Sequence, residues 1–304
     1  MTFKSGITED PHGVLDSWNA SVSFCLWPGV ACGIKHRRVT VLDLGGHGLG
    51  GTLSSQIGNL SFLRILDLSD NSFHGEIPSE LGHLIRLQTM NLSYNYLGGE
   101  IPANLSRCVG LVDLILDHNH FEGHIPVELG SLTKLEALYL KNNNLTGSIP
   151  ASIGNLTSLT ELYISYNDLE GEVPETMAKM RSLTMLGMSV NSLSGEFPPA
   201  LYNLSSLQLI GLSFNKFRGN INLCGGIKEL DLHPCMKEEP QKSRKHTALI
   251  IALVVIAVAA CLSIALLLAV FWKKKVNRSR ANSSSQVMNF HAKAFANRKL
   301  LKPE

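Results

Sequence analysis

The chain has few cysteines for its length, no excess of charge of either sign, and no grouping of residues that performs chemistry. Of its 304 residues only six are cysteine, and 27 Lys and Arg stand against 25 Asp and Glu, a net charge of +2. Such a balance gives no electrostatic reason to expect nucleic acid as a partner. The eleven histidines never fall at H-E-x-x-H and no cysteine pair stands at C-x-x-C, so no metal site is expected. There is no phosphate-gripping loop with its lysine, no H-R-D and no D-F-G, and the acidic residues form no distinguishable catalytic pair. Neither enzyme activity nor a cofactor is therefore expected. Met1-Thr-Phe-Lys carries no apolar run of the kind that a secretory leader has, and a disulfide-capped array ahead of a span is expected to have one upstream.

What is present is a repeat. Asn71, Asn95, Asn119, Asn143, Asn167, Asn191 and Asn215 follow one another at 24-residue intervals, and His47 holds the same slot in a degenerate earlier copy. The unit reads L-x-x-L-x-L-x-x-N-x-L-x-G-x-I-P-x-x-L-x-x-L-x-x. Leu66 and Leu68 are two apart, the strand period, and point to the same side. A glycine (Gly75, Gly99, Gly123, Gly147, Gly171, Gly195, Gly219) lets the chain turn ahead of Ile-Pro. Leu81 and Leu84, three apart, suit a short helical or 3₁₀ turn across the back. The asparagine amide both donates and accepts, which suits it to the point where the chain leaves the strand. One such unit cannot bury enough apolar surface to order itself, so the copies must stack and both ends need caps. The expected class is an α/β solenoid, a right-handed superhelix of eight repeats. Gly46-His-Gly48-Leu-Gly-Gly51 matches the dinucleotide fingerprint G-x-G-x-x-G, but His47 and Gly51 simply occupy the asparagine and glycine slots.

Both caps are readable. Trp18 and Cys25-Leu-Trp27-Pro-Gly-Val30-Ala-Cys32 precede the repeats, and Cys224-Gly-Gly-Ile-Lys-Glu-Leu-Asp-Leu-His-Pro-Cys235 follows them. Coils stacked about 4.8 Å apart place the two ends far beyond disulfide reach. Cys25 is therefore expected to pair with Cys32 and Cys224 with Cys235, in an oxidising compartment. Cys108 reads as a small buried apolar residue.

Ala248 to Trp272 is an uncharged run of 25 residues, about 37 Å as a helix and long enough for a bilayer core of about 30 Å. Lys273, Lys274, Lys275, Arg278 and Arg280 follow it. The resulting organisation is a cap over 1–38, repeats over 39–222, a second cap and juxtamembrane segment over 223–246, one transmembrane helix over 247–272 and a cytoplasmic tail over 273–304. The disulfides orient it as a single-pass type I plasma-membrane protein with the repeats outside. Asn-x-Ser/Thr sequons at Asn19, Asn59, Asn91, Asn104, Asn144, Asn155 and Asn203 suit a glycosylated ectodomain. Those at Asn277 and Asn282 are expected to stay bare in the cytosol.

Positions flanking the strand leucines are free to vary on the concave face. Coil by coil they give Asp113, Asp117 and His118, then Tyr139 and Lys141, then Glu161, Tyr163 and Tyr166. Aromatic and charged side chains on adjacent strands have the composition of a recognition patch. An extracellular peptide or protein is expected to bind across Asp113 to Tyr166, with a glycan at Asn91 steering it toward the C-terminal coils.

The repeat unit, the Trp18…Cys25-Leu-Trp27-Pro-Gly-Val30-Ala-Cys32 cap and the Leu223-Cys-Gly-Gly-Ile227…Cys235 tail resemble plant leucine-rich-repeat receptor-like serine/threonine kinases, nearest to the immune pattern-recognition branch. The resemblance runs over about residues 3 to 280. It implies a plasma-membrane receptor that senses a peptide or microbial molecule, in defence or development, and pairs with a co-receptor kinase. Three departures suggest a truncated or internally deleted member. Only 273–304 follow the span, too little for a kinase domain, and the repeats are fewer than that branch usually has. The last coil also runs straight from Phe217-Arg-Gly-Asn220 into Leu223-Cys224. The expected function is a ligand-binding receptor-like protein without a catalytic domain; the alternatives are a fragment of a receptor kinase, or a secreted inhibitor of pathogen wall-degrading enzymes.

Overall fold

A computed structural model describes residues 3–218. Four expectations lie outside the described residues: the Cys224–Cys235 pair, the cap over 223–246, the span over 247–272 and the tail over 273–304.

Each coil repeats one path. A strand carries the first of the two leucines and ends just before the second, the chain turns at the asparagine, a second short strand follows, and a 3₁₀ turn crosses the back. In the coil around Asn119 these are Asp113–Ile115, His120–His124 and Val127–Ser131. The leucine strands line up as one nine-stranded sheet. Residues 24 apart pair in parallel across it, as in Leu114 with Leu138 and Leu162. The period read from the sequence is therefore the register of this sheet.

The second strand was not foreseen. Gly50–Thr52, Ser72–Glu76, Tyr96–Glu100, His120–His124, Asn144–Ser148, Asp168–Glu172, Ser192–Gly195 and Lys216–Phe217 form a second parallel sheet, edged by Ile7–Glu9. Its strands pair 22 residues apart, as in Glu122 with Asn144. The slot glycines sit inside it, Gly147 at φ 71° and Gly171 at φ 78°. They shape a strand rather than only a turn.

Of the two forms that the leucine spacing allows for the backs, the structure takes the tighter one. The backs are 3₁₀ from Ser55–Asn59 through Glu175–Lys179, and the one α-helix among the described residues is the four-residue Pro199–Tyr202. Apolar residues three apart match a helix of three residues per turn, and a five-residue back is too short to nucleate α. Between sheets and backs runs a continuous core, to which one coil gives Leu66, Leu68, Phe73, Ile77, Leu81 and Leu84, all buried.

The asparagines form one file. Asn119 Oδ1 accepts from Leu97 N (3.0 Å), while its Nδ2 donates to Leu92 O (2.9 Å) and Leu116 O (3.2 Å). The same triad recurs from Asn71 to Asn215. Each amide thus fastens its own turn to the preceding coil, in a place where an unmade backbone bond would have no water.

The N-terminal end is closed twice. Val30–Cys32 pairs antiparallel with Val39–Asp43 at the edge of the leucine sheet, and Ile7–Glu9 does the same for the glycine sheet. Cys25 and Cys32 are bonded, with Cα atoms 5.4 Å apart. Trp18 stacks on Trp27 at 4.9 Å between ring centres. Among the described residues no helix is long and apolar enough to cross a membrane, and no cluster could hold a metal ion.

Candidate ligand-binding site

On the leucine strands, alternate side chains go into the core and the others face out, so the outward positions of successive coils form columns. Asp113, Ala137 and Glu161 share one column; Ile115, Tyr139, Tyr163 and Gly187 share the next. Asp117 and Lys141 follow one coil apart, just past the strands. His118 and Tyr166 stand three positions past the ends of their strands. They lie in the turn immediately before the asparagine, at φ 55° and 59°, a left-handed conformation unfavourable for residues other than glycine. Backbone bonds to the next coil hold it, His118 N donating to Lys141 O at 2.9 Å and Tyr166 N to Ser189 O at 2.9 Å.

The structure brings the expected residues into contact. The Tyr139 hydroxyl donates to the Glu161 carboxylate. Its ring meets that of Tyr163 edge-on at 5.0 Å, and the Tyr163 hydroxyl reaches Met185 Sδ at 2.9 Å. Tyr163 lies over Gly187, where a Cβ would come within 2.7 Å of the ring. Lys141 Nζ sits 5.5 Å from the centre of the Tyr166 ring, a cation–π arrangement. At the other edge, Asp113 accepts from Thr89 Oγ1 at 2.9 Å.

Burial sets the electrostatics. It pushes the Asp117 carboxyl above its ordinary range, against the lowering influence of its own backbone, His118 and Lys141. Asp117 Oδ1 is buried with no hydrogen-bond partner. Burial, then the Glu161 carboxylate, keeps the Tyr139 hydroxyl protonated far above the usual tyrosine range. The Tyr163 hydroxyl is raised for the same two reasons.

Several neighbours escaped the sequence reading. Tyr94 stacks on His118 at 4.2 Å, and Asn142 Nδ2 lies 2.9 Å from His118 Nδ1. Both occupy the slot before the asparagine, so the lattice that selected His118 could have found them. Met185 and Gly187 continue the Glu161 and Tyr163 columns but have the composition of ordinary repeat positions. Elsewhere, an apolar hollow of about 660 Å³ opens in the N-terminal cap between Phe3, Trp18, Phe24, Trp27 and Phe62.

Six sequon asparagines, Asn19, Asn59, Asn104, Asn144, Asn155 and Asn203, are exposed. Asn91 is half-buried in the leucine sheet, its Nδ2 donating to Asp67 Oδ2 at 3.2 Å and its Oδ1 accepting from Ser93. Cys108 is buried, and burial pushes its thiol up to about 11, which leaves it unreactive.

Comparisons with known proteins agree with this geometry. The sequence matches the leucine rich repeat N-terminal domain over 1–33 and leucine rich repeats over 62–84, 86–108 and 109–169. Repeats of this class, with their own cap, define a leucine-rich-repeat protein. Over these stretches the chain is similar to the ectodomain region of leucine-rich-repeat receptor-like kinases of plants. It is 56% identical over 64 residues to a receptor-like protein kinase of Arabidopsis thaliana, a match over 21% of this chain and 6% of that relative's length. Among solved structures it is similar to PEPR1 in complex with AtPEP1 (TM-score 0.68, 36% identity), covering 71% of this chain and 31% of that one. It is also similar to the Arabidopsis receptor kinase HAESA in complex with the peptide hormone IDA and the co-receptor SERK1 (TM-score 0.50, 31% identity), covering 70% of this chain and 44% of that one.

Proposed function

We propose that the chain is a single-pass plasma-membrane receptor-like protein whose eight extracellular repeats bind a peptide or protein ligand across Asp113 to Tyr166. The observation that carries this reading is the contact of Tyr139, Glu161 and Tyr163 beside the unpartnered Asp117 Oδ1, all on outward positions of consecutive coils. The likeness to PEPR1 with AtPEP1, and to HAESA with IDA and SERK1, supports a peptide as ligand and a co-receptor kinase as partner. The uncharged stretch Ala248–Trp272 supports the membrane anchor, and the bonded Cys25–Cys32 pair supports repeats on the oxidising side. On this reading the chain performs no catalysis, its organisation is the five segments given above, and its exposed sequons carry glycans. Its biological setting is defence or developmental signalling.

Peptide capture tests it. A displayed library of random linear peptides, selected on the full chain, should yield binders whose affinity falls roughly tenfold or more with Tyr139→Ala and Tyr163→Ala together. Binders indifferent to that double change would place recognition elsewhere.

A further inference from the structure

The geometry points to a second binding site, the hollow in the N-terminal cap, which takes a small apolar acid: an aromatic or acyl body with a carboxylate at one end. It is separate from the peptide face on Tyr139 and Tyr163, and either can fail without the other.

Size, lining and charge agree. Packed interiors leave few voids larger than a water molecule, whereas this hollow of about 660 Å³ falls within the roughly 300–1,000 Å³ of small-molecule sites. Phe3, Trp18, Phe24, Trp27 and Phe62 line it, and aromatic rings dominate the energetics of apolar contact. The wall is fixed in advance. Trp18 stacks on Trp27 at 4.9 Å, while the Cys25–Cys32 bond and the pairing of Val30–Cys32 with Val39–Asp43 hold the segments that bring Val30 and Val39 to it. A preformed site loses less binding energy to ordering. Its charges are of one sign: Lys4 and Arg38 line the hollow, and no Asp or Glu does. Lys4 Nζ is engaged, donating to Leu15 O at 2.6 Å. The Arg38 guanidinium sits 5.4 Å from the centre of the Phe62 ring and has no carboxylate partner among the described residues. Arg86 brings a second guanidinium to the same ring, at 4.3 Å.

The alternatives fit less well. A cationic ligand would meet Lys4 and Arg38 with no carboxylate in the wall to offset them. A neutral apolar body would match the rings but leave the guanidinium unpaired. A carboxylate answers it with charge-assisted hydrogen bonds, for which the planar fork is shaped. Trp27 Nε1, buried without an acceptor, adds a spare donor on one of the lining residues. Two occupants from the chain itself compete. Asn19 and Asn59, both sequon asparagines, stand at the hollow, but a polar sugar chain is poorly matched to five apolar rings. Met1 and Thr2, just ahead of Phe3, carry no acidic side chain to meet Arg38.

Calorimetric titration of the full chain with naphthoate and decanoate, and with the uncharged naphthylmethanol and decanol, decides this. Both acids are expected to bind roughly three- to tenfold more tightly than the matching alcohols, a modest margin because Arg38 is exposed. That preference should shrink with added salt, vanish in Arg38→Gln and persist in Arg107→Gln, a change on the back of a coil. The tighter of the two acids tells whether the body is aromatic or acyl. Phe24→Ala, which removes an exposed ring and spares the Trp18–Trp27 stack, should weaken acids and alcohols alike. Melting temperatures are read in parallel; lost selectivity in an Arg38→Gln protein as stable as the parent supports the site. Acids and alcohols bound equally by the parent, or a preference untouched by Arg38→Gln, would overturn it. So would a parent that binds none of the four. Binding that then appeared in Asn19→Gln with Asn59→Gln would make a glycan the occupant, and its continued absence would close the hollow to ligands of this class. The peptide face on Tyr139 and Tyr163 is untouched by any of these results.

Discussion

Asp117 holds a slot that five other coils fill with serine, at 69, 93, 165, 189 and 213, while the next coil has Lys141 there and the first Gly45. The coil does not need a carboxylate there, and the fold is the worse for having one. Burial raises its carboxyl above the ordinary range, so its ionised form is disfavoured in the folded chain relative to the unfolded one. The sign follows. Below the ordinary carboxylate range both states are protonated and nothing is lost; as pH rises through the raised folded value, folding must oppose ionisation and stability falls. Asp117→Asn is therefore expected to melt above the parent at neutral pH and level with it in acid, measured by thermal unfolding across pH. A variant that melts lower at neutral pH would mean that the carboxylate is held by partners and is structural. A residue that costs stability where serine would serve is the usual mark of a functional position.

At the level of the element, half of each coil was legible. Leu114 and Leu116 announce a strand by their spacing, and Asn119 announces the turn by what its amide can reach. The second strand could not be read. His120–His124 buries Phe121 and then carries Gly123 at φ 74°, and glycine argues against a strand by propensity. Pairing of its backbone with the coils on either side overrides that preference, and no residue type signals it in advance. The left-handed turn at His118 and Tyr166 is silent in the sequence for a related reason, since such a φ is written in the backbone and not in the side chain. The glycines test the point. Alanine at Gly147 or Gly171 must adopt a left-handed φ, at roughly 1–2 kcal/mol. At Gly147 the new Cβ also collides with the His124 ring, whereas at Gly171 it meets only Ser148 Cβ at 3.4 Å. Gly147→Ala should lower the urea midpoint more than Gly171→Ala, and the excess should vanish in a His124→Ala background. Equal losses with His124 present would show that the ring yields freely and that only the dihedral matters.

Across the whole set of described coils, stability passes from neighbour to neighbour, because each coil touches only the next and the asparagine file links one to the one before. Damage at one end should therefore be felt in proportion to distance. The N-terminal end depends on Cys25–Cys32, a bond that closes a loop with a sequence separation of 7. A loop that short contributes only about 2–3 kcal/mol by restricting the unfolded chain. Its larger effect is positional: it ties down Val30–Cys32, the antiparallel edge of the leucine sheet. Its partner in that task is the Trp18–Trp27 stack, in which Trp18 Nε1 donates to Pro28 O at 3.2 Å. Replacing both cysteines by alanine is expected to speed amide exchange most in Val39–Asp43, less in Ile65–Asp67 and least in Glu161–Tyr163. Affinity for a peptide held on Tyr139 and Tyr163 should then remain close to that of the parent, since the binding coils lie several neighbours away from the opened edge. Uniform loss of protection along the whole array would mean that the coils unfold as one unit and that the cap governs the binding face directly.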